Sequence, residues 1–297
     1  MADSEPDSAL QTFANRMTRQ ASLYAFASLG RLALWLLYLG VLTRLLEPAD
    51  FGRLALLMLI AVSLTLVCSM GTLQGTLSWV AGSTGGGEGD EGIEDEQDDA
   101  GKPQAKDRRR ALGTGLVLLM GIAALGTLAV TAAAAWIAEL LLHDVLSARL
   151  VTVAAVAGGF GSLWRLAAYL PRLEGRPVAY NALTLLRPTL VIAASGSLVA
   201  AGTGIGGAIA GLALGNAVAT LLALLIGRRQ FRIVFRREDA RQILGRGTPL
   251  VPVLMVFWIV HHCDLLVLSF FSADSTVALY RVGSRLGNGC FTPYRPY

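Results

Sequence analysis

The stretch LTRLLEPADFGRLALL, residues 42–57, is a short polar segment between two long apolar runs. Proline cannot continue a helix, so the sequence Glu47-Pro48-Ala49-Asp50 predicts a compact turn, with Asp50 as the cap of the next helix. Arginines flank this turn at positions 44 and 53, where a chain would leave and re-enter lipid. The stretch therefore predicts a membrane hairpin, and the rest of the chain repeats the same plan.

The composition agrees with a membrane protein. Of 297 residues, 54% are hydrophobic and 15% are charged, and the mean hydropathy is +0.56. A soluble domain carries about 25% charged residues, so this chain has too little polar surface to cover a globule in water. The pI of about 9.2 does not indicate a nucleic-acid partner, because the basic residues lie in short loops between apolar runs.

Seven apolar runs reach or exceed the roughly 20 residues that a helix needs to cross a bilayer. Backbone polar groups in lipid must be bonded within their own segment, so these runs predict helices and an all-α polytopic bundle. The predicted spans are 22–46, 51–80, 111–142, 149–171, 178–201, 203–227 and 248–272.

The segments between the spans complete the predicted organisation. Most lysines and arginines fall on the side of the N-terminus, which predicts a cytoplasmic N-terminus in an inner or plasma membrane. No cleavable signal peptide is visible. The segments are a cytoplasmic tail (1–21), helices one and two (22–81), a disordered acidic and basic cytoplasmic loop (82–110), helices three to six (111–227), a basic interfacial cytoplasmic segment (228–247), and helix seven with an outer tail (248–297).

Glycines at positions 207, 211 and 215 form a small-xxx-small ladder, which predicts close helix packing. The overlapping GxGxxG pattern at Gly202, Gly204 and Gly207 does not indicate a dinucleotide site, because no acidic residue follows about 20 positions later.

Charged residues inside the spans are candidates for function. A central arginine costs about 2.5–3.5 kcal/mol to insert, so Arg31, Arg165 and Arg187 must face a cavity, pair with another group, or reach the membrane surface. Asp264, with the adjacent His261 and His262, could exchange protons or bind a coupling cation. The alternative is that Asp264 only bonds to a neighbouring helix. No third ligand accompanies the histidines, so no metal site is predicted.

Three regions carry a family resemblance. GRLALWLLYLGVLTRLLEPADFGRLALLMLI (30–60) contains a turn of the form "l.r.lgp.dfG.la", and CDLLVLSFFSADSTVALYRVGSRL (263–286) has the form "D.llLg.f.s...vg.Y..a.rl". The stretch LWRLAAYLPRLEGRPVAYNALTLLRPTLVI (163–192) is similar to the segment that joins spans four and five in the same family. The chain thus resembles the O-antigen-type oligosaccharide-lipid flippases of the MOP exporter superfamily. The second region matches at Asp264, Leu268, Phe271, Val277, Tyr280, Arg281, Arg285 and Leu286.

The resemblance implies a transporter that moves a lipid-linked oligosaccharide of the polyprenyl pyrophosphate type by alternating access, with no cofactor. It implies a cationic central cavity in which Arg31, Arg187 and Arg165 bind the pyrophosphate. It also implies a polysaccharide polymerase or a glycosyltransferase as a partner protein. Such flippases have 12 to 14 spans in two bundles. This chain is therefore expected to correspond to the first bundle plus one helix, truncated after the seventh span.

Other functions remain open from the sequence. The chain could be a multidrug or other lipid exporter of the same superfamily, or a truncated membrane protein that transports nothing. A membrane glycosyltransferase would require acidic residues in its first outer loop. Glu47 and Asp50 lie in that loop, but the predicted turn is a sufficient reason for both residues. No GxSxG, HExxH or P-loop motif is present, so the chain is not expected to be an enzyme.

Overall fold

The computed structural model describes residues 5–84, 101–142, 144, 147–173, 176–228, 235–272 and 274–291. Within these residues every regular element is helical, which confirms the predicted all-α polytopic bundle. The helices are α1 (Glu5–Leu45), α2 (Pro48–Ser69), α3 (Thr72–Thr84), α4 (Gly101–Ala132), α5 (Ala134–Leu142), α6 (Ala148–Leu173), α7 (Pro177–Leu198), α8 (Gly204–Gly227), α9 (Arg237–Gly247), α10 (Val251–Phe271) and α11 (Asp274–Phe291).

In the part of the chain that the structure describes, six helical stretches are long and apolar enough to cross a membrane. They are Ala25–Leu45, Pro48–Ser69, Arg108–Ala132, Ala148–Leu173, Pro177–Gly227 and Arg237–Phe271. The fifth has 51 residues because it contains both α7 and α8. If each of these two helices crosses once, the chain makes seven crossings, the number that the sequence predicts.

The hairpin of α7 and α8 turns on glycine. A π-helical turn joins the helices, and Gly202 (φ 83°) and Gly204 (φ 58°) adopt the left-handed conformation that other residues avoid. The helices then run antiparallel and very close. A Cβ atom added to Gly211 would lie 2.4 Å from the Cα of Ser195, and one added to Gly215 would lie 2.7 Å from the Cα of Val191. The glycine ladder thus packs as predicted.

The first hairpin is tighter than predicted. α2 begins at Pro48, with Glu47 as its N-cap residue, so Asp50 lies in the first turn and does not cap the helix. The physical reason is that proline has the φ of a first helical residue and needs no hydrogen-bond partner there, while an acidic side chain in the first turn favours the helix dipole.

Three predicted segments also end differently. The second span, predicted as 51–80, breaks after α2 because Gly71 adopts φ 77°, and α3 follows as a separate helix. In the loop predicted as disordered (82–110), residues 85–100 lie outside the described residues, but 101–110 form the start of α4. The segment expected to be an outer tail contains α11.

Of the basic segment predicted at the interface (228–247), residues 237–247 form α9, and residues 229–234 lie outside the described residues. α9 lies against α3, where Ile243 is fully buried and a Cβ atom on Gly75 would meet the Ile243 carbonyl. The Arg246 guanidinium stacks 4.7 Å from the Trp79 ring centre and donates a hydrogen bond to the Ser78 carbonyl. The segment is therefore anchored to the bundle.

The centre of the bundle is α2, whose Leu54, Leu56 and Leu57 side chains are buried against the neighbouring helices. Hydroxyl groups also join the helices, since Thr65 donates to the Gly158 carbonyl and Thr220 donates to the Phe160 carbonyl. The periphery is apolar and exposed, for example at Phe26, Leu125 and Phe270. Exposed apolar side chains around a bundle of long helices are what a lipid environment requires.

Candidate functional site

A cavity of about 380 Å³ lies between α1, α2, α6, α7 and α11. Three arginines line it, namely Arg31 from α1, Arg187 from α7 and Arg281 from α11. Among its described lining residues there is no aspartate and no glutamate. The sequence predicted Arg31, Arg187 and Arg165 in one cavity, and the structure brings the first two to this one. The cavity is therefore a cationic chamber with apolar and aromatic walls.

Arg187 is held from two directions. Its Nε atom donates a hydrogen bond of 2.9 Å to the Oδ1 atom of Asn216 on α8, and its guanidinium lies 4.5 Å from the ring centre of Trp164 on α6. Asn216 is buried, and its Nδ2 atom donates in turn to the Ala157 carbonyl at 2.9 Å. No carboxylate pairs with Arg187 within the described part of the chain. The fixed guanidinium thus keeps its charge uncompensated by an acidic side chain.

Arg31 reaches the cavity because α1 lies close to α7. Gly30 provides the space, since a Cβ atom there would lie 3.1 Å from the Cδ2 atom of Leu185. Arg31, Arg187 and Arg281 therefore bring three positive charges to one cavity. Positive charges that lie close together repel each other, and a bound anion reduces this repulsion. The cavity is therefore a candidate anion-binding site.

Arg281 is the residue that the sequence reasoning missed as a site residue. It matches the family pattern, but the segment around it was expected to be a tail. In the structure it lies on α11, whose first residue, Asp274, accepts a hydrogen bond of 3.0 Å from the Nε atom of Arg53 on α2. This ion pair fastens the start of α11 to α2 and so holds Arg281 at the cavity.

Aromatic side chains form part of the cavity wall. Trp35 and Tyr38 pack edge to face on α1, with ring centres 5.4 Å apart. Trp164 faces them from α6, and its indole N–H is buried without an acceptor among the described residues. Aromatic faces next to arginines suit a ligand that has both an anionic group and a sugar or an apolar part.

Arg165 lies elsewhere, although it follows Trp164 directly. Adjacent residues of a helix point about 100° apart, so Trp164 faces the arginine cavity and Arg165 faces a second cavity of about 260 Å³. Its Nη1 atom donates a hydrogen bond of 2.9 Å to the Ser69 hydroxyl. The structure therefore does not bring the three predicted phosphate-binding arginines together.

The predicted ion-coupling group is also divided. His261 and His262 line the second cavity, whereas Asp264 is exposed and accepts a hydrogen bond from the Tyr280 hydroxyl on α11. This bond raises the pKa of Tyr280 above its ordinary value, because the neutral phenol is the donor. The bond between Asp264 and the next helix is the alternative that the sequence left open.

A metal site is not visible in the described ranges, which contain no group of three or more histidine, cysteine, aspartate or glutamate side chains placed to hold an ion. No family model, no curated protein and no solved structure matches the chain. The chemistry of the arginine cavity must therefore support any proposal of function.

Proposed function

We propose that this chain is a membrane transporter that moves a lipid-linked oligosaccharide across the cytoplasmic membrane by alternating access. The observation that carries the proposal is the cavity lined by Arg31, Arg187 and Arg281, with no acidic residue among its described lining residues. Three guanidinium groups at one cavity between apolar helices match the charge of a pyrophosphate linkage.

The shape and walls of the cavity support an amphiphilic cargo. Its volume of about 380 Å³ falls within the range of small-molecule sites. Leu36, Leu39 and Met58 supply apolar surface beside the arginines. The cavity would receive the pyrophosphate and the first sugar, and the lipid tail would remain in the bilayer.

Arg187 would be the fixed contact. Because Asn216 and Trp164 already orient its guanidinium, little conformational entropy is lost when it binds a phosphate oxygen. Arg281 would be the contact that changes with access, because α11 packs mainly against α2 rather than against α7, which carries Arg187. Movement of α11 relative to α1 and α7 would open the cavity to one side or the other.

The test is transport by the purified full chain in lipid vesicles, with a fluorescent polyprenyl-pyrophosphate sugar as cargo. Arg31→Ala and Arg187→Ala should each lower the transport rate by about tenfold or more, since a hydrogen bond to a charged group is worth about 1.5–3 kcal/mol. Both variants should still insert into the membrane. The matched control is Arg149→Ala, which removes an exposed arginine that does not line the cavity.

A cationic amphiphile added as a competing cargo separates the proposal from multidrug export. Three arginines repel a cation, so it should neither be transported nor compete. Transport that is unchanged in both arginine variants would reject the proposal. Efficient transport of the cation would reject it in favour of drug export.

A further inference from the structure

The second cavity lies between α2, α3, α6 and α10, against a different face of α6 from the arginine cavity. Its polar lining consists of Arg165, His261, His262, Ser69 and Gln74. No carboxylate is present among the described residues that line it. The rest of the wall is apolar. A cavity with one permanent cation, two imidazoles, a hydroxyl and an amide is equipped to bind an anion.

The histidines have a defined tautomer when neutral. The Nδ1 atom of His261 lies 2.9 Å from the Phe257 carbonyl oxygen, and the Nδ1 atom of His262 lies 3.1 Å from the Trp258 carbonyl oxygen. A carbonyl only accepts, so each Nδ1 must carry the proton. Each neutral ring therefore offers only a lone pair at Nε2. Protonation converts that atom into a donor and adds a positive charge.

The position of His262 is fixed by Trp258. The two rings stack with centres 5.7 Å apart and planes 13° apart, and the Trp258 indole donates to the Ser63 hydroxyl of α2 at 3.2 Å. Arg165 is held by its hydrogen bond to the Ser69 hydroxyl of α2. Arg165 on α6 is thus bonded to α2, and the imidazoles on α10 lie beside a tryptophan that is also bonded to α2, so the groups are held in place around the second cavity.

Charged or titratable groups lie near His262 on α6, α10 and α11. Arg165 lines the same cavity from α6, Arg281 acts on His262 from α11, and His261 and Asp264 act on it from α10 itself. From α2 and α3 the described lining residues are uncharged. Asp264 is the one carboxylate in this set, and it bonds to Tyr280 outside the cavity.

We propose that Arg165, His261 and His262 form a second, proton-dependent site for a phosphate-type oxyanion. Arg165 supplies the constant charge, Ser69 and Gln74 supply neutral donors, and the histidines become donors only when protonated. Several donors from different directions suit a tetrahedral oxyanion better than a cation, for which the cavity provides no carboxylate. The site does not depend on the transport function proposed above.

A free ion and the phosphate of a membrane lipid are two sources of such an oxyanion. Ser69 is the last residue of α2 and Gln74 is in the first turn of α3, so the cavity lies near one end of the bundle. The two sources share the same phosphate chemistry. An experiment that supplies the oxyanion either in solution or on a lipid distinguishes the two sources.

The experiment uses the stacking of Trp258 on His262, because a protonated imidazole quenches the fluorescence of a tryptophan in contact with it. The full chain is titrated between about pH 5 and pH 8, and the signal of the His262→Gln variant is subtracted. The difference reports the protonation of His262 alone. The titration is repeated at constant ionic strength with sodium chloride, with sodium sulfate, and in phosphatidylcholine nanodiscs with or without phosphatidic acid. Sulfate serves as an oxyanion whose charge stays constant over this range.

An anion that binds only the protonated form raises the midpoint of the titration, by about one pH unit at tenfold above its Kd. A rise with sulfate supports binding of a free oxyanion, and a rise with phosphatidic acid alone supports a lipid phosphate. Arg165→Gln should remove the rise but keep the quenching, whereas Arg149→Gln, at an exposed arginine of α6 that lines neither cavity, should keep both. The proposal is overturned if chloride and both oxyanions give the same midpoint, or if Arg165→Gln leaves the rise intact.

Discussion

The Nε atom of Arg187 donates a hydrogen bond of 2.9 Å to the Oδ1 atom of Asn216, and the two residues lie on opposite arms of the α7–α8 hairpin. The glycine turn at Gly202 and Gly204 makes this contact possible, because it folds α8 back along α7. A residue 29 positions away in the chain thus orients the central arginine of the candidate site.

Asn216→Ala should destabilise the bundle. The substitution removes the acceptor for the partly buried Nε–H of Arg187 and the side-chain donor to the Ala157 carbonyl. An unsatisfied buried polar group costs about 1–3 kcal/mol. Thermal unfolding followed by circular dichroism in detergent should show a lower midpoint. The control is Thr189→Ala, whose exposed hydroxyl bonds only to the Leu185 carbonyl of its own helix. Equal midpoints for both variants would contradict the role of Asn216.

Gly211→Ala should force the α7–α8 hairpin apart. The new Cβ atom would lie 2.4 Å from the backbone N and Cα atoms of Ser195, which cannot rotate away. Overpacking of this kind costs about 1–3 kcal/mol. Gly206→Ala is the matched control in the same helix, because its nearest neighbour is the Leu150 side chain at 3.8 Å. Thermal unfolding should show a lower midpoint for Gly211→Ala and an unchanged or higher one for Gly206→Ala. The reverse order would show that the two helices do not pack as the structure has them.

Tyr280 should titrate at a higher pH than a free phenol. Its hydroxyl donates to Asp264, which raises its pKa above the ordinary value near 10. Because the pKa of Tyr280 is higher in the folded than in the unfolded chain, this hydrogen bond stabilises the folded state at pH values below the unfolded pKa. The contribution is lost as the pH rises through the folded pKa. The phenolate absorbance of the wild type minus that of Tyr280→Phe isolates this group. Asp264→Asn should move the midpoint down toward the ordinary value, and a midpoint that stays in place would mean that the carboxylate is not the cause.

The start of α2 and the N-terminal part of α4 should lie on opposite sides of the membrane. Ala49 is exposed at the turn between α1 and α2, and Arg109 is exposed near the start of α4. With the three native cysteines replaced, Ala49→Cys should react with an impermeant maleimide added outside intact cells. Arg109→Cys should react only after the cells are permeabilised, because the N-terminus is predicted to be cytoplasmic. Reaction of both positions from the same side would contradict the predicted topology.

The sequence predicted the individual helices better than it predicted which helices pack against each other. Long apolar runs specify membrane helices because each helix satisfies its own backbone hydrogen bonds, so composition within one segment is sufficient. The glycine ladder on α8 predicted close packing for the same local reason. The break at Gly71 was missed, because an apolar run looks continuous until a single residue adopts a positive φ. The helix α11 was missed because its segment has too few apolar residues for a span.

What the sequence determined by itself is therefore the class of the protein, the length and approximate number of its crossings, and the presence of arginines that must find a polar environment. Only the tertiary structure decided which of them share a cavity. Trp164 and Arg165 are neighbours in the chain but line different cavities, while Arg31, Arg187 and Arg281 are far apart in the chain and line the same one. The physical reason is that the surroundings of a helix face are set by the other helices that pack against it. That packing depends on contacts between segments that are distant in the sequence.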